Sequence, residues 1–146
     1  VWGQPKIIGT MKKPIGRSAF NRKKMAVSVK GKMAITKWKV LEVYASLASL
    51  IECKLETGKT HQIRVHLSDM GHNVIGDDLY GKSLPENRYR NSPHKEKIKL
   101  IKSFNRQALH ATKLSLNHPI TKKYIEYNSH KKKNINQLKN IKKKKY

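Results

Sequence analysis

Acidic residues, cysteine and long apolar runs are all scarce in this chain of 146 residues. Only 9 Asp and Glu stand against 33 Lys and Arg, so the formal charge is +24 and nucleic acid is the expected partner. The single cysteine, Cys53, excludes an internal disulfide and fits a reducing compartment. No apolar run approaches the ~20 residues of a membrane-spanning helix, and the N-terminal stretch lacks the apolar core of a signal peptide. We therefore expect a cytoplasmic protein without a membrane segment.

Features typical of metal and cofactor sites are also missing. The chain has 7 histidines, but His61 and His66 are five apart, which does not place both on one helical face, and no pair of cysteines accompanies them. No serine lies in a nucleophile elbow, and no glycine-rich phosphate loop is present. The sequence therefore predicts neither a metal nor a cofactor.

Period-two alternation of apolar residues predicts most of the secondary structure. The strongest strands are expected at 33–44 and 47–56, joined through Ala45 and Ser46 as a hairpin, with Trp38 in the core and Cys53 as a buried thiol. Other strands are expected at 6–9, 25–29, 106–117 and 123–127, with turns at 14–17, Gly31 and 117–122.

Two short helices complete the prediction. One follows Thr60, and the other lies within 92–104, where Ser92 precedes Pro93 as a helix start and apolar residues recur at helical spacing. The expected fold class is α+β, a mostly antiparallel (mixed) sheet with few helices.

Residues 55–67 (LETGKTHQIRVHL) are the only segment whose residues together indicate a specific chemistry. Gly58 marks a turn, Thr60 is predicted to cap the following helix by accepting a backbone N–H bond, and Gly71 is predicted to end it.

One face of this helix is predicted to be apolar and another to be functional. Ile63, Leu67 and Met70 recur at i, i+4 and i+7, which indicates burial. His61 and Arg64 are three apart and share a different face. A short helix would therefore hold one guanidinium on a fixed scaffold, where it can bind a phosphate or a partner carboxylate.

The same stretch resembles the RluA-type pseudouridine synthases. Residues 57–66 (TGKTHQIRVH) and 71–81 (GHNVIGDDLYG) look like the third motif of that family and its sequel. Further similar stretches occur in the family's order: 14–17 (PIGR), 22–27 (RKKMAV), 31–32 (GK), 106–111 (RQALHA) and 118–119 (HP). The resemblance covers roughly residues 1–128 and is strongest to members that modify large-subunit ribosomal RNA. It implies an RNA-modifying isomerase whose catalytic domain is a mixed sheet split by a cleft.

The family's catalytic aspartate, carried in a His-Arg-Leu-Asp segment, and the base-stacking tyrosine that follows it have no counterpart here. Residues 1–3 look like what comes just after that tyrosine. The expectation is therefore that residues 1–128 form the C-terminal half of the catalytic domain and that residues 129–146 are a disordered Lys/Asn-rich tail. Activity would then require the N-terminal half, in cis or as a separate polypeptide, and residues 1–146 alone would be inactive.

The resemblance implies a role for several side chains. Arg64 would pair with the missing aspartate, holding it ionised and aimed, and Ile63 would help to wall the uracil. Lys59, which stands where the family commonly has Arg, would approach the RNA backbone together with His61. This interpretation requires that the Arg64 guanidinium faces a cleft and is not bound to an acid of its own chain.

Two further segments have competing interpretations. The basic cluster that includes Arg22 and Lys23 is either a solvated surface or a contact to RNA phosphates. Asp77 and Asp78 are neighbours that point to opposite faces of an extended chain, so a turn whose carboxylates bond local backbone N–H groups is favoured over an acid/base pair.

Two alternatives to a synthase remain open at the level of sequence. The chain could act as a basic RNA-binding module without catalysis, and part of its Lys excess could reflect an AT-rich genome. It could also be the product of a decaying gene, partly unfolded when expressed. Which uridine or RNA is modified does not follow from the sequence.

Overall fold

The computed structural model describes residues 1–81 and 91–130. The chain divides into two compact units, Val1–Ala108 and Leu109–Tyr146. The elements of the first unit are β1 (Ile8–Arg17), β2 (Met25–Val27), β3 (Lys32–Tyr44), β4 (Ala48–Leu55), α1 (Gln62–Asp69) and α2 (Lys95–Lys102). Those of the second are β5 (Lys113–Asn117) and β6 (Tyr124–Asn128).

The first unit is organised around a four-stranded sheet with the order β2-β1-β3-β4. Every strand pairing in the described residues is antiparallel. The antiparallel sheets and the two short helices of the described residues confirm the predicted α+β class.

The predicted hairpin of 33–44 and 47–56 is confirmed, because β3 pairs with β4 along its length. Its turn has Ala45 at φ 48° and Ser46 at φ 56°, with the Leu47 N–H donating to the Tyr44 carbonyl at 2.9 Å. Two consecutive residues with positive φ are what a type I′ turn requires, and this turn fits the twist of antiparallel strands. The register shifts between Val40 and Glu42, where the strand carries a bulge.

The predicted turn at 14–17 is wrong, because these residues lie inside β1. Pro14 is accommodated since its carbonyl accepts a bond from the Ser28 N–H at 2.9 Å, beyond the end of β2. The main-chain groups of Pro14 therefore face away from β3, and its missing N–H removes no bond between β1 and β3. Pro14, which the sequence places in a turn, is therefore a strand residue.

The core forms where α1 packs against β1, β2 and β3. Its buried cluster is Ile15, Ala34, Val65 and Tyr80. Trp38 is buried as predicted, and an added Cβ on Gly9 would lie 2.0 Å from its ring, so only glycine lets β1 approach the indole.

The second predicted helix is confirmed as α2, with Ile98 and Ile101 buried. Its predicted start at Ser92 and Pro93 is wrong, because the N-cap is His94 and the helix begins at Lys95. The Ser92 hydroxyl instead accepts the His94 N–H at 3.2 Å in the turn before the helix. No helix in the described residues is both long and apolar enough to span a membrane.

In the described part of the second unit, β5 and β6 form a hairpin in which Leu114 pairs with Tyr127 and Leu116 with Ile125. The predicted strand 106–117 is shorter than expected, since β5 begins only at Lys113. The return strand at 123–127 is confirmed as β6. The expected disorder of the tail falls almost wholly on residues 131–146, which lie outside the described residues.

Candidate functional site

Helix α1 begins without the help of Thr60. His61 precedes the helix in the left-handed conformation, with φ 57° and ψ 20°, and no side chain caps the helix. The Gln62 amide oxygen instead accepts the Lys59 N–H at 3.0 Å and the Thr57 hydroxyl at 2.8 Å. The predicted Thr60 cap is therefore wrong, because Gln62 and Thr57 organise this turn and Thr60 is exposed.

The buried face of α1 also differs from the apolar face that the sequence predicts. Gln62, Val65, His66 and Leu67 are buried, whereas Ile63 and Met70 are only half-buried. Polar residues occupy this face because their side chains bond to the sheet, which a search for apolar periodicity does not detect.

The helix ends as expected near Gly71. Gly71 has φ 76°, its N–H donates to the Ser68 carbonyl at 3.0 Å, and the His72 N–H donates to the Leu67 carbonyl at 2.9 Å. A left-handed glycine that closes the last turn in this way satisfies carbonyls that would otherwise lack partners.

A buried polar network docks α1 onto the sheet. Gln62 Nε2 donates to the Ile35 carbonyl at 2.9 Å and to Thr36 Oγ1 at 3.0 Å. His66 Nδ1 lies 2.9 Å from the same hydroxyl, and His66 Nε2 lies 3.2 Å from the Lys13 carbonyl. Because a carbonyl only accepts, Nε2 carries the proton and Nδ1 accepts from Thr36.

This arrangement fixes the protonation state of His66 as well as its position. The imidazole is 1% exposed, and burial lowers its pKa from the usual 6.5 even though the bond to the Lys13 carbonyl acts in the opposite direction. A neutral ring satisfies both partners, so His66 is a structural residue that anchors the helix carrying Arg64.

Arg64 is bound to Asp77 of its own chain. Its Nε donates to Oδ2 at 2.7 Å and its Nη2 donates to Oδ1 at 2.8 Å, which is a bidentate ion pair. The Arg64 side chain is 12% exposed and the Asp77 side chain is 0% exposed. The requirement that no acid of the chain binds Arg64 is therefore not met.

Asp77 is held in place by its own turn as well. Its Oδ1 also accepts the N–H groups of Leu79 and Tyr80, both at 3.0 Å. Burial acts to raise the pKa of Asp77, but the bonds from Arg64 and from these backbone groups outweigh it and hold the pKa below its usual value. The predicted turn with local backbone bonds is confirmed for Asp77.

Asp77 is not a candidate nucleophile. Its carboxylate is fully enclosed, Oδ1 accepts three bonds and Oδ2 accepts Arg64 Nε, so no lone pair is directed at a substrate. The pair instead fixes the guanidinium in one orientation. In residues 1–81 and 91–130 no acceptor takes the Nη1 hydrogens of Arg64, whose bonds to Asp77 use the Nε and Nη2 edge.

The ring of Tyr80 packs against one face of the Arg64 guanidinium. The guanidinium carbon lies 4.8 Å from the centre of the buried ring, a cation–π contact. The Tyr80 hydroxyl accepts the Met25 N–H at 2.8 Å and lies 2.9 Å from His61 Nδ1. His61 packs edge-on against the same ring, and burial, followed by the charge of Arg64, lowers its pKa.

The other predicted contact residues of the motif surround this arrangement. Ile63 is half-buried on the first turn of α1, next in sequence to Arg64. Lys59 is half-buried, and its main chain bonds to Gln62 on both sides, since its N–H donates to Gln62 Oε1 and its carbonyl accepts the Gln62 N–H at 3.0 Å. Their contacts with RNA remain predictions.

The structure places Arg22 and Lys23 at an exposed loop between β1 and β2. The next residue, Lys24, has its Nζ 5.9 Å from the centre of the Tyr80 ring. The basic loop therefore leads directly into the cluster around Arg64, and its binding of RNA phosphates stays a prediction.

Sequence reasoning missed three residues that build the site. From the sequence, Gln62 and Tyr80 have no predicted role, and Asp77 is predicted to lie in a local turn alone. A buried aspartate separated from a motif arginine by a short loop is a signal for such a pair, but spacing alone does not determine which of the neighbours Asp77 and Asp78 turns inward. Among the described residues no group of His, Cys, Asp and Glu is arranged to hold a metal ion.

Comparisons with known proteins agree on one family. The family profile described as RNA pseudouridylate synthase matches residues 3–69. The chain is 40% identical over 129 residues to the ribosomal large subunit pseudouridine synthase D of Zymomonas mobilis, covering 87% of this chain and 38% of that protein. The protein of the same name from Pseudomonas aeruginosa is 44% identical over 115 residues, covering 77% and 34%.

The fold is also that of a solved structure. The human RNA pseudouridylate synthase domain containing 4 matches with a TM-score of 0.59 and 22% identity, covering 91% of this chain and 57% of that one. The chain spans between a third and two fifths of the length of the curated relatives, 38% and 34% in the two cases above.

Proposed function

Because the chain belongs to the RluA-type pseudouridine synthases, we propose that it forms part of the active site of an isomerase that converts uridine to pseudouridine in RNA. The proposed substrate is large-subunit ribosomal RNA, since the relatives that the chain matches carry that RNA in their names. The proposed place of action is the cytoplasm.

The observation that carries the proposal is the orientation of Arg64. Asp77 occupies the Nε–Nη2 edge and Tyr80 covers one face, so the guanidinium is fixed on two sides. A second carboxylate on the Nη1 edge would receive a charge-assisted bond from a donor that needs no reorganisation. The ion pair with Asp77, which the sequence interpretation excluded, is therefore proposed to orient the Arg64 guanidinium toward the second carboxylate.

The incoming carboxylate is the catalytic aspartate that the family resemblance calls for, supplied by a segment outside residues 1–146. It acts as nucleophile or base at the sugar or an adjacent proton, so that the bond from the ribose to N1 of uracil breaks and one from the ribose to C5 forms, while C5 loses its proton and N1 gains one. An opposite charge within ~4–6 Å lowers a carboxylate pKa by about 1–3 units, so Arg64 keeps the aspartate ionised near neutral pH.

RNA binding is proposed to use the positive charge around this site. The base must leave its stack to reach the aspartate, which costs a few kcal/mol, and backbone contacts offset that cost. The proposed contacts to the RNA backbone are Lys59, His61, Arg22 and Lys23. Ile63 is proposed to contact the uracil at the edge of its pocket. The formal charge of +24 supports a strongly salt-dependent interaction.

The test compares the chain alone with the chain joined to a segment that carries the aspartate, in cis or as a second polypeptide. Tritium release from ribosomal RNA labelled at C5 of uridine measures the reaction. We expect no turnover by residues 1–146 alone and turnover by the joined form. Multiple turnover by residues 1–146 would overturn the proposed division of the site.

Arg64 is tested in the active form by Arg64→Lys. Lysine keeps a charge for Asp77 but lacks a second edge, so folding should be retained while turnover is lost. Arg64→Met would leave Asp77 buried and unpaired, so its loss of activity is interpretable only with a melting curve. Retained turnover in Arg64→Lys with unchanged RNA binding would remove Arg64 from the proposed mechanism.

A second candidate function is RNA binding without catalysis. It is favoured by the absence of any acidic residue before Glu42, which gives the first two strands and their loop an uninterrupted positive charge. This alternative predicts submicromolar RNA affinity that falls steeply with salt, and no isomerisation even when the aspartate segment is supplied.

A further inference from the structure

The loop that joins β1 to β2, residues 18–24, is held in a defined shape, and we refer to it as the Ser18 loop. The Ser18 N–H donates to the Lys24 carbonyl at 3.0 Å, which closes the loop. The Ser18 hydroxyl oxygen accepts the N–H groups of Phe20 at 3.3 Å and Asn21 at 3.2 Å. A serine that bonds the backbone two and three residues ahead fixes the turn locally.

Further bonds fix the second half of the Ser18 loop. Asn21 Oδ1 accepts the Lys23 N–H at 2.9 Å, and the Asn21 carbonyl accepts the Lys24 N–H at 2.9 Å. Arg17 Nη1 donates to the Arg22 carbonyl at 3.1 Å. The loop is therefore organised before it meets a partner, which lowers the entropy cost of binding.

Phe20 projects from this ordered loop with its whole ring in solvent. Its relative exposure is 101%, while its N–H is satisfied by Ser18. An isolated exposed apolar residue is ordinary on protein surfaces. Phe20 differs because a flat ring offers a stacking face and because exposed cations stand on both sides of it in the chain, Arg17 before and Arg22 and Lys23 after.

The partner that matches an exposed ring between cations is an unpaired nucleotide. Basic side chains bind the phosphates while aromatic rings stack on bases, and stacking tolerates any sequence because every base has a π-face. A membrane surface also accepts an exposed ring between cations, but the RNA substrate proposed above favours a nucleotide, and wild-type-like RNA binding by Phe20→Ala would count for the membrane instead.

The Ser18 loop lies close enough to the Arg64 site to contact the same RNA. The Met25 N–H donates to the Tyr80 hydroxyl, and Tyr80 lies under Arg64. Five residues span at most ~18 Å when extended, which bounds the distance between the main chains of Phe20 and Met25.

We propose that Phe20 stacks on an unpaired base of the RNA that enters the site, with Arg17, Arg22 and Lys23 binding the flanking phosphates. The proposal rests on the proposed RNA substrate. It assigns to the Ser18 loop the recognition of a single-stranded segment next to the target uridine.

The test measures binding of residues 1–146 to a fluorescein-labelled 20-nucleotide single-stranded RNA, and to the same RNA in a full duplex, across a salt series. Stacking lost on alanine substitution corresponds to about a 5- to 100-fold loss of affinity. We expect Phe20→Ala to weaken single-strand binding by that factor with an unchanged salt slope and unchanged duplex binding. Phe20→Trp should retain affinity.

Two controls separate stacking from general effects. Val29→Ala removes another apolar side chain, which is 94% exposed and also lies outside the strands. This variant should bind both RNAs as the wild type does. Arg22→Gln should reduce the salt slope by ~0.7, as expected for one phosphate contact on a single strand.

Wild-type-like single-strand binding by Phe20→Ala, or equal losses on both RNAs, would overturn the inference, including the case in which the ring contacts a protein instead. Failure of the wild-type chain to bind either RNA would overturn the proposed function itself.

Discussion

Arg64 and Asp77 meet along one edge of the guanidinium, with Nε to Oδ2 at 2.7 Å and Nη2 to Oδ1 at 2.8 Å. The interaction raises the pKa of Arg64 and, together with two backbone N–H groups, keeps that of Asp77 low. Both groups therefore stay charged across the neutral range, and the pair behaves as a rigid unit on which a further anion can be placed.

The turn neighbours Asp77 and Asp78 offer a matched test of this pair. Asp77→Asn should lower the free energy of unfolding by about 2–3 kcal/mol, because an amide nitrogen or a neutral oxygen would face the Arg64 donors in a buried site. Asp78 is exposed, so Asp78→Asn should change stability by less than ~0.5 kcal/mol. Urea unfolding followed by circular dichroism measures both, and equal effects would contradict the structural role of Asp77.

The two threonines of the motif give a second matched pair. Thr57 Oγ1 accepts the Ile35 N–H at 2.9 Å and donates to Gln62, whereas Thr60 is exposed. Thr57→Val should cost about 1–3 kcal/mol because it leaves partly buried polar groups without partners. Thr60→Val should be close to neutral. A larger loss of stability for Thr60→Val than for Thr57→Val in thermal melting would support a capping role for Thr60 and contradict the structure.

Stability should depend on pH through His66. Its folded pKa lies below 6.5, so on acidification the unfolded chain takes up the proton first. The stabilisation that neutral His66 gives to the folded state is fully present above pH 6.5. Below that pH the free energy of unfolding declines by up to ~1.4 kcal/mol per pH unit. Gln can donate to Lys13 and accept from Thr36 without titrating, so His66→Gln should flatten the decline between pH 7.5 and 5.

His61 also has a lowered pKa and should contribute to the same decline in stability. The variant with both His61→Gln and His66→Gln should have a flatter profile than either single variant. Urea midpoints measured at pH 7.5, 6.5, 5.5 and 5.0 would decide. An unaltered slope in His66→Gln would show that other groups carry the pH dependence.

Substitutions in the β3–β4 turn are expected to raise the stability of the first unit. Ala45 and Ser46 both hold positive φ, which costs about 1–2 kcal/mol per residue for side chains other than Gly, Asn and Asp. Replacing them by Asn and Gly, the preferred type I′ pair, should stabilise the first unit by about 1 kcal/mol, read as a higher urea midpoint. Ala19→Gly, at a loop position without positive φ, should give no gain. A gain from both would point to a general effect of glycine.

The sequence by itself determined the hairpin of β3 and β4, because period-two alternation around Trp38 and the short link at Ala45 and Ser46 indicate two paired strands that bury the indole. It also determined the position and end of α1, through the turn at Gly58 and the left-handed Gly71. The ordered motifs predicted the family, which the comparisons confirmed. These features depend on local spacing, and local spacing is what a sequence displays.

Only the tertiary structure decided which side chains meet. It gave the helix a polar buried face through Gln62 and His66, because Thr36 and the β-strand carbonyls offer partners that lie far away in sequence. It also turned Asp77 inward onto Arg64 while Asp78 stayed in solvent. A bond between groups thirteen residues apart depends on where the backbone bends at Gly76, and charge and spacing alone do not specify that bend.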